Sequence, residues 1–114
     1  MLSDKARLAI ADIVDYAKLA LGFVEELAQT DFLEDRKTHL AVMRCLEVIS
    51  EASRRIPADV KDKIPHINWR AIASAGNSYR HEYDRMDHDV VWDTVKVHVS
   101  ALLAEMQQIL KYES

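Results

Sequence analysis

Three side chains that could act on a phosphodiester lie within four residues of one another. Arg80 supplies a permanent positive charge, His81 an imidazole that changes protonation state near neutral pH, and Tyr83 a phenolic hydroxyl. Such groups can bind a phosphate and move a proton to or from a neighbouring hydroxyl. A helix end whose polar groups bond only to one another and to the backbone would use the same residue types. The sequence alone leaves both interpretations open.

Other polar residues are spaced so that they could support this site. Asn77 precedes His81 by four residues and Arg85 follows it by four, so the three share one face for as long as a helix continues. Glu51, on an earlier helical segment, could orient Arg80 or His81, or it could be a solvated acid. We therefore expect Asn77, Arg85 and Glu51 to act as supporting residues.

A divalent metal site is a further interpretation of the same segment. His81 and His88 could bind an ion together with Asp84 or Asp89. Di-metal sites in helical bundles use Glu-x-x-His on two helices, whereas only one predicted helix here is rich in histidine. The sequence therefore predicts neither a metal nor a cofactor. The remaining histidines are expected at the surface or hydrogen-bonded, namely His39, His66 and His98.

Basic residues concentrate around the candidate site although the whole chain is acidic. The net charge of the 114 residues is −4, which disfavours a general nucleic-acid binder, because phosphate contacts supply most non-specific affinity. Residues 54–85 carry seven Lys or Arg against four Asp or Glu, a local charge of +3 against −7 for the remainder. A local basic surface and a random scatter of solvated charges both fit this pattern.

The elements that must position the site are helices. Apolar residues recur every three or four positions along most of the chain, and no segment alternates with the period of two that strands require. The chain has only two glycines and two prolines, which are too few for the many turns of a typical sheet protein. The sequence predicts an all-α protein, an antiparallel up-and-down bundle of four to five helices, formed by residues 1–114 as a single domain.

Capping residues and prolines give the expected bounds of these helices. The second long helix should end at Pro57, residues 58–64 should form a short helix or turn, and a later helix should start at Trp69. The expected N-caps, in chain order, are Ser3, then Thr30 or Asp31, then Asn68, and finally Asp87 or Asp89.

Two features predict a cytoplasmic protein. The single cysteine, Cys45, lies in an apolar stripe and cannot form an intramolecular disulfide, which fits a buried side chain in a reducing compartment. Residues 1–5 open into a charged helical pattern without the features of a signal peptide. No stretch approaches the roughly 18 uncharged apolar residues of a membrane span, so we expect no membrane contact.

Residues 76–84 read Gly-Asn-Ser-Tyr-Arg-His-Glu-Tyr-Asp, and residues 90–95 read Val-Val-Trp-Asp-Thr-Val. In this order and spacing the two stretches resemble the signature of HepT-like proteins within the HEPN superfamily. The resemblance extends from about residue 8 to residue 110. Supporting context lies at residues 32–35 (Phe-Leu-Glu-Asp), 49–52 (Ile-Ser-Glu-Ala) and 65–70 (Pro-His-Ile-Asn-Trp-Arg).

The resemblance implies a metal-independent endoribonuclease that acts on RNA or tRNA. The family motif is an arginine, four to six intervening residues, and His-x-Tyr, which His81 and Tyr83 match. It implies that His81 transfers a proton near the ribose 2′-hydroxyl or the scissile phosphate, while the arginine stabilises the negative charge of the transition state. It also implies a homodimer in which the two motifs face each other across a cleft.

The resemblance further implies a partner protein. HepT-like toxins pair with a minimal nucleotidyltransferase of the MntA type, the antitoxin of a type VII-like pair, which transfers AMP from ATP to the motif tyrosine. Tyr83 is the matching position in this chain. A bulky anionic adenylate beside Arg80 and His81 would block and neutralise the cleft.

One position departs from the family motif. The motif arginine should stand immediately before Asn77, where this chain has Gly76, and Arg80 lies next to His81 instead. Neighbouring residues on a helix point about 100° apart, so Arg80 does not simply replace the missing side chain. Two alternatives remain open: Arg80 binds the phosphate, or the chain is a non-catalytic helical dimer that binds a nucleotidyltransferase partner or nucleotides.

Overall fold

The computed structural model describes residues 2–82 and 88–113, with the backbone alone for residues 76–82 and for residue 113. All regular elements in these ranges are helical, and none of the described residues forms a strand. In chain order the helices are α1 (Asp4–Val24), α2 (Gln29–Glu34), α3 (Arg36–Ser53), α4 (Ala58–Asp62), α5 (Trp69–Glu82), α6 (His88–Asp93), a π-helical segment (Thr94–Val99) and α7 (Ser100–Glu113).

Two predicted N-caps are confirmed by their hydrogen bonds. The Ser3 hydroxyl accepts from the backbone N–H of Ala6 at 3.1 Å, and Oδ1 of Asn68 accepts from the N–H of Ala71 at 3.0 Å. Each bond satisfies one of the free N–H groups in the first turn of a helix. These caps fix the start of α1 and the start of α5, and α5 is the helix that carries the candidate site.

The predicted second helix is in fact two helices. Thr30 and Asp31 lie inside α2, and the cap of the following long helix is Asp35, whose carboxylate accepts from the N–H of Thr38 at 3.0 Å and from its hydroxyl at 2.7 Å. These hydrogen bonds hold the pKa of Asp35 below its usual value. The non-helical backbone of Asp35 ends α2 and starts α3, so the predicted cap was wrong. The predicted end at Pro57 was late, since α3 ends at Ser53.

The core joins all the long helices. The helix α3 packs between α1 and α5, and α1 also packs against α7. Fully buried side chains such as Ile10, Ile49, Ile72 and Leu102 belong to one cluster, and burial of each large aliphatic side chain contributes roughly 1.5–3 kcal/mol. The predicted all-α bundle is confirmed. No helix within the described ranges has both the length and the apolar character to cross a bilayer.

The last predicted helix is continuous but not uniform. It begins at His88 and contains the π-helical segment, in which the Thr94 hydroxyl donates to the carbonyl oxygen of Val90 at 2.8 Å. A π-helix bonds residues five apart and has a wider turn than an α-helix. Asp89 lies inside the first turn, so it is not the cap, and the other cap candidate, Asp87, lies outside the described residues.

Candidate functional site

The helix α5 carries three of the predicted site residues. Its backbone remains helical from Trp69 to Glu82, so the positions of Asn77 and His81 are one turn apart on the same helix, with Arg80 beside His81. Tyr83 and Arg85 lie outside the described residues. The grouping of Arg80, His81 and Tyr83 into a site therefore stays a prediction, while the helix that delivers two of them is in place.

Ser50 of α3 and Arg54, the residue that follows α3, anchor α5 just before the candidate site. The hydroxyl of Ser50, which is buried, donates to the carbonyl oxygen of Ala73 at 2.6 Å. The Nη2 atom of Arg54 lies 3.3 Å from the same oxygen. Both bonds reach α5 one turn before Asn77, so they set how far α5 is displaced along α3.

Glu51 forms an ion pair with Arg54. Its Oε2 atom lies 3.2 Å from Nη1 of Arg54, and both side chains reach solvent. An orienting role of Glu51 toward Arg80 or His81 stays a prediction. The Arg54 guanidinium therefore bonds both to Glu51 and to the carbonyl oxygen of Ala73.

On the far side of the candidate site, α6 is held against α2 and α3. The rings of His88 and His39 stack with their centroids 3.9 Å apart and their planes 24° from parallel. Nδ1 of His88 lies 3.3 Å from the carbonyl oxygen of Leu33, and the Gln29 amide donates to Asp89 at 2.7 Å. These contacts fix His88, which is the first described residue after the His-x-Tyr motif.

Of the two alternatives expected for His39, a surface position or a hydrogen-bonded one, the surface position was wrong. Its side chain is buried, and its Nδ1 has no hydrogen-bond partner among the described residues. Burial lowers the pKa of His39, and the charges of His88 and Arg36 lower it further, so His39 is neutral at neutral pH. Phe32 and Trp92 complete an aromatic cluster with the two histidines, with centroid distances from Phe32 of 5.6 Å to His39 and 5.3 Å to Trp92.

The other predicted features of single residues have mixed outcomes. His66 is exposed, with Nε2 3.0 Å from Oε1 of Glu105, and His98 is half-buried. Cys45 is buried as predicted, and burial raises the pKa of its thiol. Within residues 2–82 and 88–113, no three His, Cys, Asp or Glu side chains that the structure describes converge on a point where they could hold a metal ion.

Sequence reasoning missed Ser50, Arg54 and His39. A signal for His39 was present, because Val42 follows it by three residues and Leu46 by seven, so that it belongs to the buried stripe of α3. No comparable signal marks Ser50 or Arg54. Their contacts join residues 23 and 19 positions apart in the chain, which no local pattern encodes.

Comparisons with known proteins agree on one family. The family described as Ribonuclease HepT-like matches residues 13–109. A Methanocaldococcus jannaschii protein named as a putative RNase is 33% identical over 100 residues, which cover 88% of this chain and 83% of that protein. A Thermococcus cleftensis protein named as a probable ribonuclease HepT is 38% identical over 102 residues, covering 90% and 93%. No solved structure matches the chain.

Proposed function

The chain belongs to the HepT-like ribonuclease family, and on that premise we propose that it is a metal-independent endoribonuclease that cuts RNA or tRNA in the cytoplasm. The observation that carries the proposal is the position of the motif. His81 and Tyr83 fall within the matched residues, and the backbone of α5 is helical at His81. The contacts of α5 with Ser50 and Arg54 at Ala73 support the proposal, because they hold the helix that carries His81.

In the proposed reaction, His81 accepts the proton of a ribose 2′-hydroxyl, whose oxygen attacks the adjacent phosphorus. The bond from phosphorus to the 5′ oxygen breaks, and protonated His81 returns a proton to that oxygen. The products are a 2′,3′-cyclic phosphate and a 5′-hydroxyl, and no metal, oxidant or further reactant is needed. A neighbouring guanidinium stabilises the added negative charge on the phosphoryl oxygens.

Two partners belong to the proposal. A second copy of the chain forms a homodimer that brings two copies of the basic segment together, which would offset the acidic net charge near the RNA. A nucleotidyltransferase antitoxin of the MntA type transfers AMP to Tyr83, which makes the chain the toxin of a type VII-like pair. The adenylate carries negative charge into the cleft and competes there with the RNA phosphate.

Induced expression in cells tests the nuclease. Wild type should arrest growth and fragment total RNA or tRNA, and His81→Ala and Tyr83→Phe should not. His66→Ala is the matched control, because His66 is exposed and bonds to Glu105 on another part of the bundle. Intact RNA and normal growth with soluble, folded wild type would contradict the proposed activity.

Co-expression with an MntA-type nucleotidyltransferase tests the modification. Intact-protein mass spectrometry should show the addition of one AMP to wild type and none to Tyr83→Phe. Tyr112→Phe is the control, since Tyr112 is a highly exposed tyrosine on α7. Unmodified wild type that also fails to bind the transferase would count against this part of the proposal.

A second candidate function is favoured by Gly76. Without the motif arginine, the chain would be a non-catalytic helical dimer that binds a nucleotidyltransferase or nucleotides. This candidate predicts that wild type leaves RNA intact while binding the transferase or ATP in calorimetry. It also predicts that Gly76→Arg creates RNA cleavage, whereas the nuclease proposal predicts little gain from that change.

A further inference from the structure

We propose that Arg54, the residue that follows α3, supplies the guanidinium that binds the scissile phosphate beside His81, in place of the side chain that Gly76 lacks. The inference rests on the proposed ribonuclease function, and it assigns a phosphate ligand to that site. It differs from the alternative in which Arg80 fills this role, because Arg54 comes from a different helix.

The described contacts place Arg54 close to the correct turn of α5. In an α-helix the carbonyl of residue 73 points along the axis toward the N–H of residue 77. Because Nη2 of Arg54 lies 3.3 Å from the Ala73 carbonyl oxygen, the guanidinium lies beside α5 within about one turn of Gly76 and Asn77. The family motif places its arginine at the position of Gly76. Arg54 therefore brings the same chemical group to within about one turn of that position from the end of the neighbouring helix.

The distance to the proton-transfer residue is suitable for one phosphate. Positions 77 and 81 are separated by about 6 Å along the axis of α5. A phosphate group with a charge-assisted hydrogen bond of about 2.8 Å on either side spans about 8 Å between donor atoms, so groups that extend from two levels of α5 one turn apart can contact the same phosphate. Positions 73, 77 and 81 also follow one another at intervals of four, hence along one side of the helix. A phosphodiester bound to Arg54 can therefore lie next to the backbone position of His81.

The guanidinium is held in place before RNA binds. Nη1 lies 3.2 Å from Oε2 of Glu51, and Ser50 donates to the Ala73 carbonyl oxygen that Nη2 also contacts. The side chain of Arg54 remains 37% exposed. A guanidinium has five N–H donors in a rigid plane, so it can keep several partners within the protein and still bind a phosphate oxygen. A fixed donor of this kind loses little conformational entropy when it binds the transition state.

Two neighbouring arginines make different described contacts. Arg44 pairs with Glu47 on α3 itself, and Arg55 pairs with Asp12 of α1 at 3.3 Å. Arg44 is a matched control, because like Arg54 it is a partly exposed arginine paired with a glutamate of α3 three residues away. Its described ion pair stays on α3, whereas that of Arg54 is combined with a bond to α5.

The first test measures phosphate contact without cleavage. A fluorescent oligoribonucleotide with 2′-O-methyl groups is titrated at several salt concentrations. Arg54→Ala should weaken binding about tenfold or more and lower the slope of log affinity against log salt by about 0.7, the value for one lost contact to a single strand. Arg44→Ala should change neither. Equal slopes for Arg54→Ala and Arg44→Ala, or no binding by wild type, would overturn the proposal.

Two further variants distinguish phosphate binding by Arg54 from a purely structural role. Ser50→Ala removes the other bond from α3 to the Ala73 carbonyl but no charge, so its salt slope should equal that of wild type. Arg54→Lys keeps the charge but loses the planar fork, so it should keep the slope and bind more weakly. A slope that falls equally in Ser50→Ala and Arg54→Ala contradicts phosphate binding by Arg54.

Cleavage of unmodified RNA in single turnovers completes the test. Arg54→Ala should lower the rate about a hundredfold, and Gly76→Arg added to Arg54→Ala should recover most of it, while Gly76→Arg alone adds little. Wild-type cleavage that is equal in Arg54→Ala overturns this inference and leaves the ribonuclease intact. If no RNA is cleaved but the salt slope still depends on Arg54, the phosphate site is retained and the proposed nuclease activity is contradicted.

Discussion

The interfaces of α3 with α1 and with α5 both belong to the buried aliphatic cluster, but their described polar contacts differ. Toward α1, the packing uses fully buried aliphatic side chains such as Ile10 and Ile13 of α1 and Leu46 of α3. Toward α5, the described contacts include two polar side chains that bond to one carbonyl oxygen, that of Ala73. Apolar packing stabilises without direction, whereas hydrogen bonds require particular distances and angles. The first interface therefore maintains the fold and the second sets the position of α5.

The largest expected effect on stability comes from a substitution that disrupts the interface between α1 and α3. Ile13→Ala removes a fully buried side chain of α1 and should lower the free energy of unfolding by about 2–5 kcal/mol, because it leaves a cavity in a packed core. Leu8→Ala, at a position of α1 that is 65% exposed, should stay within about 0.5 kcal/mol. Urea unfolding followed by circular dichroism measures both. Similar losses for the two variants would show that the α1 interface is not the source of stability.

A smaller change in stability with a larger change in activity is expected at the second interface. Ser50→Ala should cost about 1 kcal/mol of unfolding free energy, the usual net contribution of one hydrogen bond. RNA cleavage should nevertheless fall tenfold to about a hundredfold, because a displacement of α5 moves His81 relative to the phosphate. The control is Ser74→Ala, whose hydroxyl bonds to Ala71 within α5. Cleavage that follows stability alone in both variants would remove the distinction between the interfaces.

The smallest expected effect on stability at neutral pH comes from the aromatic cluster that contains His39 and His88. His39 has a pKa below 6.5 in the folded protein, first because of burial and then because of His88 and Arg36. The unfolded chain therefore binds a proton at His39 more readily than the folded chain does. Stability from this group is complete above pH 6.5 and is lost as the pH falls from 6.5 through the lower folded pKa.

Urea unfolding between pH 5 and pH 8 should show this loss in wild type and a flatter profile in His39→Phe. His66→Gln, at an exposed position, is the control and should keep the wild-type contribution of His39. Identical pH profiles for wild type and His39→Phe would show that the stacked pair does not couple protonation to folding.

The candidate site could be predicted only as a set of residue types. Arg80, His81 and Tyr83 were recognisable because their chemistry and order are properties of the chain, and the family match covers all three positions. The contact of Arg54 with the Ala73 carbonyl oxygen of α5 was not recognisable from the sequence. Its position depends on how far α3 and α5 are displaced along each other, and helical periodicity does not determine that displacement.

The sequence by itself determined the helical class of this protein and two of its helix starts, at Ser3 and Asn68, because a cap bonds to a backbone N–H three residues away and an apolar stripe repeats every three or four residues. Only the tertiary structure decided that His39 stacks on His88 and that Arg54 reaches Ala73. These contacts join residues that are 49 and 19 positions apart. They form only after the aliphatic core has fixed the relative positions of the helices, and no local pattern in the chain carries that information.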